Sequence, residues 1–392
     1  MKHTLSGVSI ARIATVPFFL YTQLKSQIVY LAEAGMDVTM ISGEGEEVSY
    51  LPQAANCRHV TIDIPRRMDI YGDMLAICRL YTLFKREKYL IVHSTTPKAG
   101  LASAIAGALA GVPIRLHTFT GQPWITMKGP VGVVARLADR IIGRLNTRCY
   151  ADSNSQRLFL VENGIVQKDR IDVIGSGSLA GVDMKRFNKD LMSIDEKTSL
   201  RESLSITGEN IVLIYIGRVT KEKGVCELLS VMNQLKHETP SVVLLVVGPL
   251  DEEVGGKGGI SKAQIEELEN VRYVGYTSEP EKYIAISDVL CLPSYREGFG
   301  TVVIEAAAMF VPTIGTNING LRDAVVDGET GILVEPRDIG SLSSAILGIV
   351  RSPDKIAYMG QAAFLRCKKL FNMSTINKLL LEEYLRLVGT VK

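Results

Sequence analysis

Twice along this chain, short runs of Val, Ile and Leu alternate with stretches of helical periodicity. The first half carries apolar runs at 8–16, 38–42, 60–64, 90–94, 114–119 and 149–153, with helical patterns at 21–34, 73–87, 98–110, 130–146 and 154–163. The second half has runs at 211–216, 242–247, 271–274, 289–293, 312–315 and 331–334, with helical patterns at 223–237, 262–269, 280–287, 301–310 and 320–327. Strands that are apolar throughout lie in sheets covered on both faces, and strand–helix alternation implies parallel pairing. The pattern predicts an α/β protein of two doubly wound Rossmann-like domains, with a polar joint near 188–205 and only helix after Pro336. Ligands of open parallel sheets bind beyond the carboxyl ends of the strands, so two such sheets facing each other would form an interdomain cleft.

Several classes are disfavoured. A chain of 392 residues can bury its cores without disulfides. The six cysteines, at 57, 78, 149, 226, 291 and 367, form no C-x-x-C pair, which reads as buried reduced thiols in a cytosolic protein. The most apolar stretch, 99–114, is mostly Ala and Gly and is broken by Pro113, so it reads as a helix and the start of a strand rather than a membrane span. Residues 1–5 show no signal-peptide pattern. No P-loop motif occurs. Residues 175–181, with glycines at 175, 177 and 181, echo a dinucleotide fingerprint but lack the following helix and acid, and read as a loop.

The net charge of +2 hides an asymmetry: residues 51–150 hold 14 basic and 5 acidic side chains, or +9. An anionic partner is expected there. No RNA- or DNA-binding motif accompanies the charge, so nucleic acid is disfavoured as that partner.

Three local features point to chemistry. Glu297-Gly298-Phe299-Gly300-Thr301 follows a strand and opens a helix ending near Met309, with Glu305 inside it. The glycines permit close backbone approach, and a helix amino terminus receives anions. The two glutamates would reach different hydroxyls of one ligand, or they are a solvated turn residue and a helix-surface residue. Gly217-Arg218 and Lys223-Gly224 follow another strand, where Arg offers a forked phosphate contact and Lys a point charge, or where both are simply solvated. No D-x-D triplet occurs, so a departing diphosphate would be stabilised by protein cations and a helix terminus.

Over about 210–340 these motifs, in this order, resemble the retaining glycosyltransferases of family four, of GT-B fold. The matching text is Gly217-Arg218, Lys223-Gly224, Ser287-Asp288, Pro293-Ser294, Glu297-Gly298-Phe299-Gly300, Glu305, Gly320-Leu321-Arg322-Asp323, Asp327-Gly328, Thr330-Gly331 and Asp338. Gly181-Val182-Asp183 and Phe187 match the segment before the hinge, and Gly175-Ser176-Gly177-Ser178 resembles a bacterial subgroup that extends glycans on undecaprenyl diphosphate. The resemblance implies an acceptor domain over 1–187, a nucleotide-sugar domain over 188–373, and a last helix, about 374–392, crossing back onto the first. It implies that Gly217, Arg218 and Lys223 hold the donor diphosphate. Glu297 with Gly298, Phe299 and Gly300 would bind the sugar. Thr301 and Val302 would offer helix amides, Glu305 would bind the ribose, and Val274 and Gly275 would flank the base. The reaction implied is retaining and needs no metal or other cofactor. The donor is a nucleotide sugar, with a UDP-N-acetylhexosamine preferred, and the acceptor a polyprenyl-diphosphate-linked glycan of a surface polysaccharide such as O-antigen. A soluble acceptor, or sugar-nucleotide epimerisation on the same fold, are the alternatives.

Relatives often carry a His just before a Gly after the strand at 114–119. Here Thr120 precedes Gly121 and His117 lies three residues earlier, so either side chain is a catalytic candidate, with a core role open for His117. Arg136, Arg140 and Arg144 recur every four residues and share one helical face. With Trp124, Lys128 and the aromatic loop at Phe18, they suggest acceptor or membrane contact at the inner face of the cytoplasmic membrane, against the alternative of an ordinary solvated face.

Overall fold

A computed structural model of the chain describes residues 5–52, 56–251 and 259–391. The segment 1–4, read above for a signal pattern, lies outside them. The chain divides into two compact units, Met1–Ala180 with Met373–Lys392, and Gly181–Asn372.

The first unit is built on seven parallel strands: β1 (Ser9–Ile13), β2 (Asp37–Ser42), β3 (Cys57–Thr61), β4 (Ile91–Ser94), β5 (Ile114–Phe119), β6 (Arg148–Ala151) and β7 (Ile171–Asp172). Their order is β3-β2-β1-β4-β5-β6-β7, so the winding direction switches beside β1. The strand expected at 60–64 sits earlier, and the two-residue β7 has too short an apolar run to announce itself. The expected aromatic loop at 16–20 is instead helical from Pro17, with a π turn at Leu20–Leu24 leading into Lys25–Glu33. Pro17, Pro97 and Pro130 each open a helix, where the missing N–H costs nothing.

The helix Met373–Val391 belongs to this unit. The Tyr384 hydroxyl accepts from Arg12 Nη1 at 2.6 Å and lies 2.6 Å from His93 Nδ1. Gln27 Oε1 accepts from Arg12 Nη2 at 2.9 Å and His93 Nδ1 lies 3.2 Å from Arg12 Nη1, so the fully buried guanidinium is met by side chains of three other elements. A buried charge persists only where it is paired or hydrogen-bonded in this way.

The second unit has β8 (Ile211–Ile216), β9 (Val242–Val247), β10 (Val271–Gly275), β11 (Val289–Leu292), β12 (Thr313–Thr316) and β13 (Gly331–Val334), all parallel, in the order β10-β9-β8-β11-β12-β13. Every residue of β9 and β11 is buried, as expected of central strands covered on both faces. The polar joint expected at 188–205 contains a helix, Ile194–Ser203, opened by a reciprocal Ser193–Glu196 capping box. Residues 181–187, read from the sequence with the first unit, fall in the second: Val182 and Phe187 join its core, and Val182 bridges to Asn372. The cysteine expectation holds for four of the six, since Cys78 is exposed on the helix Ile70–Glu87 and Cys226 is half-buried.

Candidate functional site

In the second unit the winding switches at β8, which lies between β9 and β11. The loops leaving β8 and β11 carry most of the candidate donor residues. After β8, Gly217 takes φ +151° and the Tyr215 hydroxyl donates to the Arg218 carbonyl at 2.6 Å, shaping the turn. The Arg218 guanidinium stands exposed, with Asp251 3.8 Å away. Gly248, which the sequence reading passed over, completes the floor: a Cβ there would sit 2.0 Å from the Gly217 carbonyl oxygen. Its signal is a glycine placed directly after the fully apolar β9.

Lys223 ends the short turn Lys221–Lys223 and points to the loop after β11. Its Nζ donates to Glu297 Oε1 at 2.6 Å, and Ser294 Oγ donates to the same oxygen at 2.7 Å. Both side chains of the ion pair are mostly covered, at 23% and 13% exposure. Among the described residues Glu297 Oε2 has no side-chain donor, so one carboxylate oxygen is held and the other is available. Phe299 is not a ligand-facing ring: it is buried edge-on against Phe371, centroids 5.0 Å apart, and only its backbone remains for binding. Gly300, at φ +84°, caps the helix Thr301–Ala308, whose first residues Thr301 and Val302 are half-buried. Glu305 lies one turn further along. Desolvation pushes its carboxyl up to about 7, Arg186 pulls it down and Glu281 raises it. Arg186 in turn pairs with Glu281 at 2.8 Å. Sequence reading missed Arg186, which lies outside the matched motifs. Val274 and Gly275 end β10, and Gly248 N–H donates to the Gly275 carbonyl at 2.8 Å, joining them to the same floor.

The first unit corrects two expectations. His117 is 1% exposed, lies 2.9 Å from Ser94 Oγ through Nδ1, and packs edge-on against Phe119. A Cβ on Gly100 would fall 2.4 Å from its ring. Burial pushes its pKa down to about 3, which with this packing favours the neutral core role left open for it. Thr120, half-buried at the carboxyl end of β5 beside Gly121 (φ +118°), keeps the position the resemblance assigned to a histidine.

The second correction concerns the arginine face of the helix Pro130–Leu145. Arg136 Nη2 donates to both the carbonyl and Oδ1 of Asn163, each at 3.1 Å, and Arg140 reaches the same carbonyl at 3.5 Å. Asn163 caps the carboxyl end of Asn154–Glu162, where cations are favoured. Arg136 also lies over Trp124, 5.3 Å from the ring centroid. Two of the three arginines are thus spent inside the unit, and only Arg144 is exposed. The outward face is the apolar one, with Val131, Val133, Val134 and Leu137 exposed. Lys128 is exposed, as is Phe18, while Trp124 is half-buried and donates to Asp139 Oδ2 at 2.7 Å.

The family described as glycosyl transferases group 1 matches residues 196–366, and a glycosyl transferase 4-like domain matches 22–177. The capsular polysaccharide biosynthesis glycosyltransferase CapM of Staphylococcus aureus is 31% identical over 90% of each chain.

The chain belongs to the group 1 glycosyltransferases. An Escherichia coli relative, UDP-Gal:alpha-D-GlcNAc-diphosphoundecaprenol alpha-1,3-galactosyltransferase, is 26% identical over 91% of each chain. Among solved structures, Anabaena HepE in complex with UDP and glucose superposes with a TM-score of 0.78 at 18% identity, covering 96% of this chain and 98% of that one. At that identity the likeness bears on the fold, and with the two parallel sheets it makes this glycosyltransferase a GT-B protein. Among the described residues no group of three His, Cys, Asp or Glu side chains is arranged to hold a metal, and no helix is long and apolar enough to cross a membrane.

Proposed function

We propose that this glycosyltransferase moves a sugar from a UDP-sugar onto a saccharide carried by a polyprenyl diphosphate, in the synthesis of a surface polysaccharide such as O-antigen. The observation that carries the reading is the likeness, over 91% of both chains, to a transferase whose name specifies a UDP-sugar donor and a diphosphoundecaprenol acceptor. The name of the CapM relative supports a surface polysaccharide as product. The donor sugar preferred from the sequence is an N-acetylhexosamine, and galactose belongs beside it because the E. coli relative uses it. The work is done peripherally, at the cytoplasmic face of the membrane.

In this reading the bond from the anomeric carbon to the diphosphate breaks, with its electron pair leaving on the phosphate oxygen. The acceptor hydroxyl forms the new bond on the same face, and its proton passes to that leaving oxygen. Configuration is retained and no metal takes part. Arg218, Lys223 and the amides of Thr301 and Val302 stabilise the charge that develops on the diphosphate. Glu297 accepts a sugar hydroxyl on Oε2 while Lys223 and Ser294 hold Oε1. Glu305 accepts the ribose hydroxyls, and Val274 and Gly275 flank the base.

The test is a mass-spectrometric screen of UDP- and GDP-sugars, with and without a polyprenyl-diphosphate-linked sugar, in EDTA. Transfer from one UDP-sugar to the lipid-linked acceptor alone is expected. Transfer to a free saccharide would overturn the acceptor, an isomerised UDP-sugar without transfer would overturn the reaction, and a requirement for Mg²⁺ would overturn the metal-free mechanism.

A further inference from the structure

The first unit contains an open cavity of about 500 Å³, between the start of the helix Ile70–Glu87, the first turn of Pro97–Ala110 and the outward face of Pro130–Leu145. Its volume lies within the roughly 300–1,000 Å³ of small-molecule sites. Phe19, Leu101, Trp124 and Val134 line it, and its rim is apolar as well: Met68 and Ile70 on one side, Met127 and Val131 on the other, are all exposed large side chains. Exposed apolar side chains gathered around a concavity, rather than scattered singly, make it a candidate binding site.

Its lining charges are mixed, with Arg66 and Lys98 basic and Asp69, Asp73 and Asp139 acidic, and Arg66 is the one base among them without an ion-pair partner among the described residues. Arg66 lines the mouth, and Arg67 and Lys128 adjoin lining residues; none of the three has an ion-pair partner among the described residues. Lys98 also lines it but is neutralised by Asp73. Of the acids, Asp69 is engaged in capping the helix start, and Asp139 is buried under the Trp124 indole.

We infer that this cavity holds the first part of the isoprenoid chain of a polyprenyl diphosphate, with the diphosphate at Arg66. The inference rests on the lipid-diphosphate acceptor proposed above and names where the lipid, not the saccharide, is held. A free saccharide is a poor occupant, because its hydroxyls would find few hydrogen-bonding partners on these walls. A bilayer surface covers the rim but does not enter a concavity; a single chain does. Arg66 at the mouth of an apolar slot matches an anionic head on an apolar tail.

Trp124 is the only tryptophan of the chain and forms part of the wall, so its emission reports occupancy. The full-length protein is titrated with farnesyl diphosphate, and separately with inorganic diphosphate and with phosphatidylglycerol vesicles. A saturable change with farnesyl diphosphate alone is expected. Val134→Asp, at an exposed position on the wall, should weaken it at least tenfold, and Ala138→Phe, which fills the cavity, should do the same, with thermal melts confirming that both variants fold. No saturable response, an equal response in both variants, or a response to vesicles alone would overturn the proposal. Transfer to lipid-linked acceptors with a KM indifferent to chain truncation would overturn the cavity and leave the acceptor reading standing. Farnesyl diphosphate binding without transfer to any lipid-linked sugar would support the cavity and overturn that reading.

Discussion

Lys223 Nζ and Glu297 Oε1 lie 2.6 Å apart, joining the loop after β8 to the loop after β11 across 74 positions of sequence. β8 and β11 are adjacent parallel strands, so the pair spans the crevice at the switch in winding where such sheets bind ligands. Each side chain has two tasks, to hold its partner and to meet the donor, and the two tasks can be separated.

Lys223→Ala removes a charged diphosphate contact. A hydrogen bond to a charged group contributes about 1.5–3 kcal/mol, so UDP affinity should fall by roughly ten- to a hundredfold in calorimetry. Glu297→Ala should leave UDP affinity within a few-fold, because the freed ammonium still faces the diphosphate, and should cut turnover by about a hundredfold or more. Equal losses of UDP affinity in the two variants would mean that the pair is structural and that Glu297 does not meet the sugar.

Glu305 gives the site a pH signature. Its carboxyl is held at about 7, against an ordinary 4.5, mainly by desolvation. Between those values the folded chain keeps a proton that the unfolded chain has lost, so this group's contribution to stability falls as pH rises through that window. Binding runs the other way if the carboxylate accepts two ribose hydroxyls. UDP affinity should then rise from about pH 6 to about pH 8, and Glu305→Gln should flatten the profile. A profile unchanged in the variant would take Glu305 out of the ribose contact.

Much of this site could be read before any coordinates, because its parts are local. The glycines at 217, 224 and 300 and the strand-to-helix turns follow from short-range pattern. What pattern could not supply was pairing at a distance. Ser294 and Lys223 sharing one oxygen of Glu297, or Arg186 facing Glu305, depends on which strands become neighbours. The arginine stripe misled for a related reason. Spacing by four puts Arg136 and Arg140 on one face but does not say which way the face turns, and the carboxyl end of a neighbouring helix took them.

His117 should behave as a core residue. His117→Ala leaves a cavity and an unpartnered Ser94 hydroxyl, at a cost of about 2–4 kcal/mol on the scale of large-to-small core changes. Its imidazole is held neutral to about pH 3, so between that value and an ordinary 6.5 the unfolded chain binds the proton first. Wild-type stability therefore falls as pH drops through that window, and the variant should lose this part of the acid sensitivity in denaturant titrations. Turnover per folded molecule should be unchanged. A loss of about a hundredfold or more with the fold intact would return His117 to the chemistry.

Gly224 tests whether the two loops act as one piece. It sits at φ +71°, directly after Lys223, and a Cβ there would lie 2.0 Å from the Pro293 carbonyl oxygen, directly before Ser294. Backbone cannot yield as a side-chain tip can, so Gly224→Ala must push apart the loops that Lys223 and Glu297 tie together. The left-handed backbone adds strain of order 1–3 kcal/mol. Thermal melts should show that loss, and UDP affinity should fall by at least as much as in Lys223→Ala although no ligating atom has been removed. Gly208→Ala is the comparison, since a Cβ there meets nothing within 4 Å. Should Gly224→Ala bind UDP as the wild type does, the ion pair is not what positions Lys223, and the donor phosphates are held by Arg218 and the helix amides without it.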